Sequence, residues 1–441
     1  MQNSKMNSGS PGVMLGEEKN KMSNYRWTVV ALLFFATTIN YIDRNVLGIL
    51  KPTLQAKIGW SEADFGFIIA AFTLAYALGQ AFFGRLIDKY GTKFSYSISV
   101  AVWSFAAMGH AFAWTPVEFG VARASLGLGE SGNFPAAIKG TAEWFPKKER
   151  AYATGIFNSG ANIGAVFAPI VVPWLTLTYG WESAFVVTGA LGLIWLAFWH
   201  FIYEVPEKHK KINQAELDYI LSDKEEVVKA KIPWIELLKY RQTWAFVIGK
   251  FLTDPIWWFY LYWLPDFLDK KYGLNLTNIG WPLIIIYTMT SIGSIGGGWM
   301  SGKFINLGWS INKGRKTVML ICALLIVPIV FASTVSLWVS VGLIGLAAAS
   351  HQGWSANIFT TASDMFPKKA VGSIVGLGGT AGAAGGVVFQ IVTGLVLQYT
   401  QSYLPLFIIS GSAYLIALAI FHFLVPKMEP VDLSGDLAIS K

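Results

Sequence analysis

Long apolar runs alternate with short polar segments along almost the whole chain. Runs of about 20 apolar residues recur between positions 26 and 425, and each is long enough to cross roughly 30 Å of hydrocarbon as an α-helix. The pattern predicts twelve membrane-spanning helices. Helices 1 to 6 are predicted near 26–48, 64–86, 94–114, 117–139, 151–174 and 183–203. Helices 7 to 12 are predicted near 243–265, 279–301, 317–334, 337–361, 371–397 and 404–425.

A charged segment interrupts this pattern once, after helix 6. Residues 204–241 are rich in Lys and Glu, and 213–221 within them are typical of a capped surface helix. The first apolar run is too long for a cleaved signal peptide, so we expect it to be retained as helix 1. The predicted parts are a cytoplasmic tail (1–25), an N-terminal six-helix bundle (26–203), a cytoplasmic linker (204–241), a C-terminal six-helix bundle (242–425) and a second cytoplasmic tail (426–441).

The composition supports an all-α integral membrane protein. Apolar residues make up 54% of the chain and charged residues 14%, whereas a soluble domain carries roughly 25% charged residues. A soluble enzyme of this length is therefore excluded. The ~10-residue alternating segments of a membrane β-barrel are absent. Cys322 is the single cysteine, so an intrachain disulfide is impossible.

The net charge of +8 is distributed unevenly among the loops. Loops after even-numbered helices carry lysines and arginines, whereas the loops after helices 3, 5, 9 and 11 carry none. Basic loops stay on the cytoplasmic side. We therefore expect a multi-pass protein of the cell (inner or plasma) membrane with both termini cytoplasmic, a basic charge that serves topology, and no nucleic-acid partner.

Two acids and two arginines fall deep inside predicted helices of the first half. Asp43 and Arg44 lie late in helix 1, and Arg123 and Glu130 lie seven residues apart, on one face of helix 4. Charges at membrane depth are costly, usually face a bundle interior or an aqueous cavity, and mark substrate or proton pathways. The alternative for Asp43 and Arg44 is a position just beyond the helix end, at the membrane interface.

The two halves of the chain share a short repeat. The sequence Phe-Pro-Lys-Lys ends helix 4 at 145–148 and helix 10 at 366–369. A helix rich in Gly and Ala follows in each half. A chain of six plus six helices with parallel repeats, and with binding sites at the interface of the halves, is a transporter architecture.

A loop motif after helix 2 gives a more specific indication. Gly84-x3-Asp88-Lys89-x-Gly91 resembles the conserved motif between helices 2 and 3 of the major facilitator superfamily. Within this superfamily, the chain resembles the anion:cation symporters, which include bacterial hexuronate, galactonate and glucarate transporters. The residues that carry this second resemblance are Tyr41-Ile-Asp43-Arg44, Arg123-x6-Glu130, Glu143-Trp-Phe-Pro146 and His351-Gln-Gly-Trp-Ser-Ala-Asn357.

The resemblance implies a secondary active transporter that works by alternating access. We expect it to import an organic anion, a hexuronate such as glucuronate or galacturonate or a related sugar acid, together with protons. Arg44 is the candidate for the carboxylate, because arginine binds carboxylates through two parallel donors. The resemblance places Tyr41 and Tyr76 in the same substrate cavity, although Tyr76 could instead be a packing aromatic.

Proton coupling requires a carboxylate whose proton affinity changes between conformations. Asp43 and Glu130 are the candidates, and Arg123 can neutralise one of them. Our hypothesis is that their protonation frees the arginines for substrate. The alternative is a static network that holds helices 1 and 4 together.

Further candidates lie in helices 5, 7 and 10. Asn158 and Asn162 share a face of helix 5 and could bind hydroxyl groups. Asp254, followed by a proline, indicates a kink or a buried acid in helix 7. The predicted substrate ligands of helix 10, of which His351 could instead be structural, are His351, Gln352, Trp354 and Asn357.

Other classes of function lack their signatures. A G-x-G-x-x-G match at 127–132 follows no strand, so it does not predict dinucleotide binding. No cofactor, metal or ATP motif is recognisable, and we expect a monomer in the lipid bilayer. The alternatives are an anion exchanger, a sodium-coupled carrier of another carboxylate, or a non-transporting sugar-acid sensor. An intramembrane enzyme would need a motif that the chain lacks.

Overall fold

The computed structural model of the protein describes residues 22–222, 234–366 and 368–431. Regular structure in these ranges is helical throughout. In the first half, helix 1 is Tyr25–Ile58, helix 2 Glu62–Tyr90, helix 3 Thr92–Gly109, helix 4 two segments (Pro116–Glu130 and Asn133–Trp144), helix 5 Lys147–Tyr179 and helix 6 Trp181–Ile202. In the second half, helix 7 is Arg241–Tyr272, helix 8 Gly280–Asn306, helix 9 Ile311–Ile326, helix 10 Leu337–Met365, helix 11 Lys368–Thr400 and helix 12 Leu404–Leu424.

Short helices fill the connections. Within the described ranges they are the 3₁₀ turns His110–Phe112, Pro206–Lys208 and Val327–Phe331, and the linker helices Gln214–Leu221 and Trp234–Leu237. Seven spans in the described residues are long and apolar enough to cross a membrane, judged by length and composition alone. Helix 1 carries Asp43, Arg44 and Lys51, and helix 4 is interrupted at Ser131–Gly132. The predicted class, twelve helices in two six-helix bundles, is confirmed.

The ends of helix 2 show how local sequence sets the helix boundaries. The Ser61 hydroxyl accepts a hydrogen bond from the Asp64 amide at 3.1 Å, and the Asp64 carboxylate accepts one from the Ser61 amide at 2.8 Å. Such a reciprocal cap contributes roughly 1 kcal/mol. At the other end, Gly91 has φ +83°, a conformation that only glycine adopts without strain, and helix 3 starts at the next residue.

The sequence repeat has a structural counterpart. Glu143 and Asp364 each lie two residues before the Phe of the Phe-Pro-Lys-Lys segment. Glu143 accepts a hydrogen bond from the Thr92 hydroxyl at 2.8 Å, which joins the end of helix 4 to the start of helix 3. Asp364 accepts one from Arg315 at 3.0 Å, which joins helix 10 to helix 9. The two halves therefore use equivalent contacts.

Glycines allow the helices of one bundle to approach closely. A Cβ on Gly160 of helix 5 would lie 2.5 Å from the Phe34 carbonyl oxygen of helix 1. Gly293 and Gly297 of helix 8 face the helix 10 backbone, where a Cβ would overlap Ala349 or Gly353. Small residues at such crossings let membrane helices pack backbone to backbone.

The two bundles meet at the end of the molecule remote from residues 25 and 424, hereafter the far end. Helix 2 crosses helix 11 there, and a Cβ on Gly66 would lie 2.7 Å from the Gln390 carbonyl oxygen. A Cβ on Gly394 would lie 2.7 Å from the Glu62 carbonyl oxygen. Helix 1 contacts helix 7 at Gly48 in the same way.

Four charged side chains cross this junction, and we call them the far-end cluster. They are Lys51 and Glu62 of the first bundle and Asp266 and Lys270 of the second. Lys51 lies 2.7 Å from Glu62 and 2.6 Å from Asp266. Lys270 pairs with Glu62 and lies 3.0 Å from Asp266. Among the described residues, the ion pairs between the two bundles lie in this cluster.

Candidate functional site

A cavity of about 310 Å³ lies between the two bundles. Its helix 7 residues fall within the first 18 positions of that helix, whereas Asp266 and Lys270 fall within the last seven. The cavity therefore lies between the far-end cluster and the end that carries the termini. Its wall consists of Tyr41, Phe134 and Asn158 from the first bundle and Lys250, Asp254, Trp257, Trp258, His351, Gln352, Ser355 and Phe359 from the second.

Arg44 and Glu130 form a buried ion pair beside this cavity. The Nε and Nη2 atoms of Arg44 lie 2.9 and 2.8 Å from one carboxylate oxygen of Glu130. Nη2 also lies 3.3 Å from the Asn40 side-chain oxygen. Arg44 is 3% exposed and Glu130 is fully buried. The pair joins helix 1 to helix 4 in a region without access to bulk water.

Four aromatic rings surround the Arg44 guanidinium, and we call them the aromatic box. The distances from the guanidinium carbon to the ring centres are 4.7 to 5.7 Å, within the range of cation–π attraction. Tyr41 and Trp258 also line the cavity, so they stand between Arg44 and the open space. The box consists of Tyr41, Phe72, Tyr76 and Trp258.

Asp43 occupies a different environment from its neighbour. It is 2% exposed, and its carboxylate faces the Thr188 hydroxyl of helix 6 without a hydrogen bond within 3.5 Å. It forms no ion pair within the described residues. Asp43 and Glu130 are therefore both buried, but Arg44 neutralises only Glu130.

Arg123 connects helix 4 to three other helices. Its Nη2 atom donates a 2.7 Å hydrogen bond to the backbone carbonyl of Arg44. Its guanidinium carbon lies 4.8 Å from the centre of the Phe72 ring and 5.5 Å from that of the Tyr262 ring of helix 7. The acid that the sequence placed on the same face, Glu130, is paired with Arg44 rather than with Arg123.

The predicted ligands of helices 5 and 10 divide into two groups. Asn158, His351 and Gln352 line the cavity. Asn162 is partly exposed and lies outside the cavity wall. Trp354 also lies outside the cavity wall. It is fully buried, and its ring contacts the Tyr414 ring edge-on at 5.4 Å.

Asn357 and His351 have specific partners within the second bundle. The Asn357 amide donates to the Gly297 carbonyl at 3.0 Å and to the Gly353 carbonyl at 2.9 Å, which ties helix 10 to helix 8. The Nδ1 atom of His351 lies 2.6 Å from the Tyr414 hydroxyl oxygen, and the His351 ring stacks on Trp257 at 5.6 Å. The Asn357 amide is thus engaged in holding helix 10 to helix 8, whereas His351 is held at the cavity surface.

Lys250 was not identified from the sequence as a site residue. Its Nζ atom lies 2.7 Å from the carboxylate of Asp254, one helical turn further along helix 7. Both side chains line the cavity. The available signal was a lysine and an aspartate at i and i+4 within an otherwise apolar run, a spacing that places them side by side.

The loop motif lies apart from this site. Gly84 and Lys89 belong to the last turns of helix 2, and Gly91 begins the connection to helix 3. The Lys89 ammonium lies 4.9 Å from the centre of the Tyr90 ring. The side chain of Asp88 lies outside the described part of the structure. In the described residues, no group of three or more His, Cys, Asp or Glu side chains could hold a metal ion.

Comparisons with known proteins agree with this architecture. The hexuronate transporter of Escherichia coli K12 is 32% identical over 393 residues, which cover 88% of this chain and 91% of that protein. The galacturonate transporter of Dickeya chrysanthemi is 34% identical over 314 residues, which cover 70% and 90%.

A solved structure and a family profile give the same result. The crystal structure of a bacterial homologue of the human lysosomal transporter Spinster superposes with a TM-score of 0.75 at 17% identity, over 92% of this chain and 97% of that one. The profile of the Major Facilitator Superfamily matches residues 33–390. The chain therefore belongs to the major facilitator superfamily, and it is a membrane transporter rather than an enzyme.

Proposed function

We propose that this protein imports a hexuronate or a related sugar acid together with protons by alternating access. The observation that carries the proposal is the buried Arg44–Glu130 pair, with Asp43 one residue away and the cavity beside it. Two relatives of high coverage are hexuronate and galacturonate transporters. The proposed partners are a small organic anion, protons and the lipid bilayer, with the protein acting as a monomer.

The proposed coupling uses the different partners of the two buried acids. Glu130 occupies the Nε and Nη2 donors of Arg44, so this edge of the guanidinium cannot bind a substrate carboxylate at the same time. A proton on Glu130 removes its charge and frees this edge of the Arg44 guanidinium. Asp43 is buried and has no ion pair among the described residues, a situation that costs free energy while the carboxylate is charged. Proton binding at these two acids therefore favours the form of the site that accepts an anion.

The asymmetric contact between the bundles supports alternating access. The far-end cluster and the Gly66–Gly394 crossing close one end, and the cavity lies on the other side of that closure. The basic loops suggest that the termini are cytoplasmic, which would make this the conformation open to the cytoplasm, in a cell membrane. Separation of the cluster, with closure at the opposite end, would expose the cavity to the outside.

Uptake of labelled glucuronate into proteoliposomes tests the proposal. We expect accumulation that requires an inward proton gradient and that a protonophore abolishes. Galacturonate, galactonate and galactarate, added as competitors, define the preferred acid. Uptake driven by an internal anion without a proton gradient would establish exchange instead, and uptake driven by sodium would replace the proton. Binding without any transport would establish a sensor.

A further inference from the structure

We infer that Lys250 of helix 7 forms a second carboxylate-binding position in the cavity, with Asp254 as its partner when substrate is absent. This inference rests on the proposed function, since it assumes an anionic substrate. Lys250 and Asp254 are the charged residues of the cavity wall in the described structure. Neither has been given a role in the coupling scheme based on Arg44, Asp43 and Glu130.

The geometry keeps the Lys250 ammonium at the cavity surface. Its side chain is 5% exposed and lies 2.7 Å from Asp254, whose side chain is 19% exposed. The ammonium also lies 3.9 Å from the centre of the Phe359 ring of helix 10. The aliphatic part of the Lys250 side chain packs against Gly378 of helix 11, where a Cβ would lie 3.2 Å from the Lys250 Cγ atom. Lys250 is thus held between helices 10 and 11, and Asp254, its one ionic partner in the described part of the chain, is itself accessible from the cavity.

The alternative cation, Arg44, does not line the cavity in the same conformation. Arg44 is paired with Glu130 and lies behind Tyr41 and Trp258 of the aromatic box. An anion that enters the cavity meets Lys250 before it meets Arg44. Because Asp254 shares the ammonium, the site is neutral when empty, and an incoming carboxylate can replace Asp254 as its hydrogen-bond acceptor.

The neighbouring side chains fit the rest of a sugar acid. His351 and Gln352 lie on the same wall, and Asn158 faces them from the first bundle. These side chains can donate to or accept from hydroxyl groups, and Trp257 and Trp258 provide apolar surface. A substrate held by Lys250 at its carboxylate would therefore contact both bundles.

Calorimetric titration of the purified full-length protein tests the assignment. The wild type is titrated with glucuronate, galacturonate, galactonate and galactarate, and with glucose as a neutral control. Lys250→Gln alone leaves Asp254 in the cavity as an uncompensated charge, so the decisive variant is the double replacement Lys250→Gln/Asp254→Asn. We expect it to bind the preferred acid at least tenfold more weakly, whereas Lys250→Arg, which keeps a cation at this position, should bind it more tightly than the double variant.

A matched double variant controls for the loss of an ion pair as such. Lys57 and Glu182 form a more exposed pair at 3.7 Å, outside the cavity, and Lys57→Gln/Glu182→Gln should bind like the wild type. Wild-type affinity in the Lys250→Gln/Asp254→Asn variant would overturn the assignment while the proposed function stands, because Lys250 would then only neutralise Asp254. No binding of any acid by the folded wild type would overturn both.

Discussion

Replacing Asp266 by asparagine removes the carboxylate that holds helix 1 of the first bundle against helix 7 of the second. Asp266 is 1% exposed, and Lys51, its partner across the junction at 2.6 Å, is fully buried. The far-end cluster contains two lysines and two acids, so its formal charge is zero. The variant leaves it at +1, with Glu62 as the single acid shared by Lys51 and Lys270.

The size of the effect follows from the contact that is lost. A hydrogen bond that involves charged groups contributes roughly 1.5–3 kcal/mol, and about 1.4 kcal/mol changes an equilibrium tenfold. Loss of the Lys51–Asp266 contact should therefore lower the ratio of far-end-closed to far-end-open protein by roughly 10- to 150-fold. Repulsion between the two lysines acts in the same direction.

Distances between spin labels can measure this ratio. The labels are placed at Lys57 and Thr277, which are exposed at the far ends of the first and second bundles, after Cys322, the single native cysteine, is replaced by serine. In Asp266→Asn, the population with the longer distance between labels should rise at least tenfold relative to the shorter one. Pulsed electron paramagnetic resonance gives both populations from one sample.

Asp269 offers a matched control on the same helix. It is partly exposed, and in the described structure it forms no ion pair. Asp269→Asn should leave the distance distribution unchanged. An unchanged distribution in Asp266→Asn as well would refute the conclusion that the far-end cluster stabilises the closed arrangement.

Three further variants test the buried ion pair, the crossing of helices 2 and 11, and the contact of helix 10 with helix 8. Glu130→Gln should abolish proton-driven accumulation in proteoliposomes while exchange of labelled for unlabelled substrate continues; gradient-driven uptake at the wild-type rate would contradict the coupling scheme. Gly66→Leu should reduce far-end closure in the spin-label assay, because even a Cβ there would lie 2.7 Å from the Gln390 carbonyl oxygen. Asn357→Leu should lower the thermal unfolding temperature, since the loss of two buried hydrogen bonds costs roughly 1–3 kcal/mol, but it should leave substrate affinity within about twofold, and a large loss of affinity with unchanged stability would indicate a direct ligand.

The helix 10 motif shows the limit of reading a site from consecutive residues. His351 and Gln352 line the cavity, whereas Trp354 and Asn357 face other helices. Successive residues of an α-helix point about 100° apart, so one wall cannot receive all four. The orientation of helix 10 is set by its close packing on helix 8 at Gly293 and Gly297, which the motif itself does not encode.

The buried charges show a similar limit. Arg123 and Glu130 share a face of helix 4, but seven residues span about 10.5 Å along a helix, so each needs a partner from another helix. Glu130 pairs with Arg44, 86 positions earlier in the chain, and Arg123 donates a hydrogen bond to the Arg44 backbone carbonyl. Spacing within one helix could indicate that these residues are buried together, but not which of them form a pair.

The sequence by itself determined the helices, the two bundles and the presence of charges at membrane depth. A bilayer requires long apolar helices and makes every buried charge conspicuous, so these features are visible in the order of residues. Only the tertiary structure decided that the far end is closed and that Lys250 rather than Arg44 borders the cavity. These outcomes depend on contacts between helices that are distant in the chain, whose rotation and depth are fixed by packing rather than by local sequence.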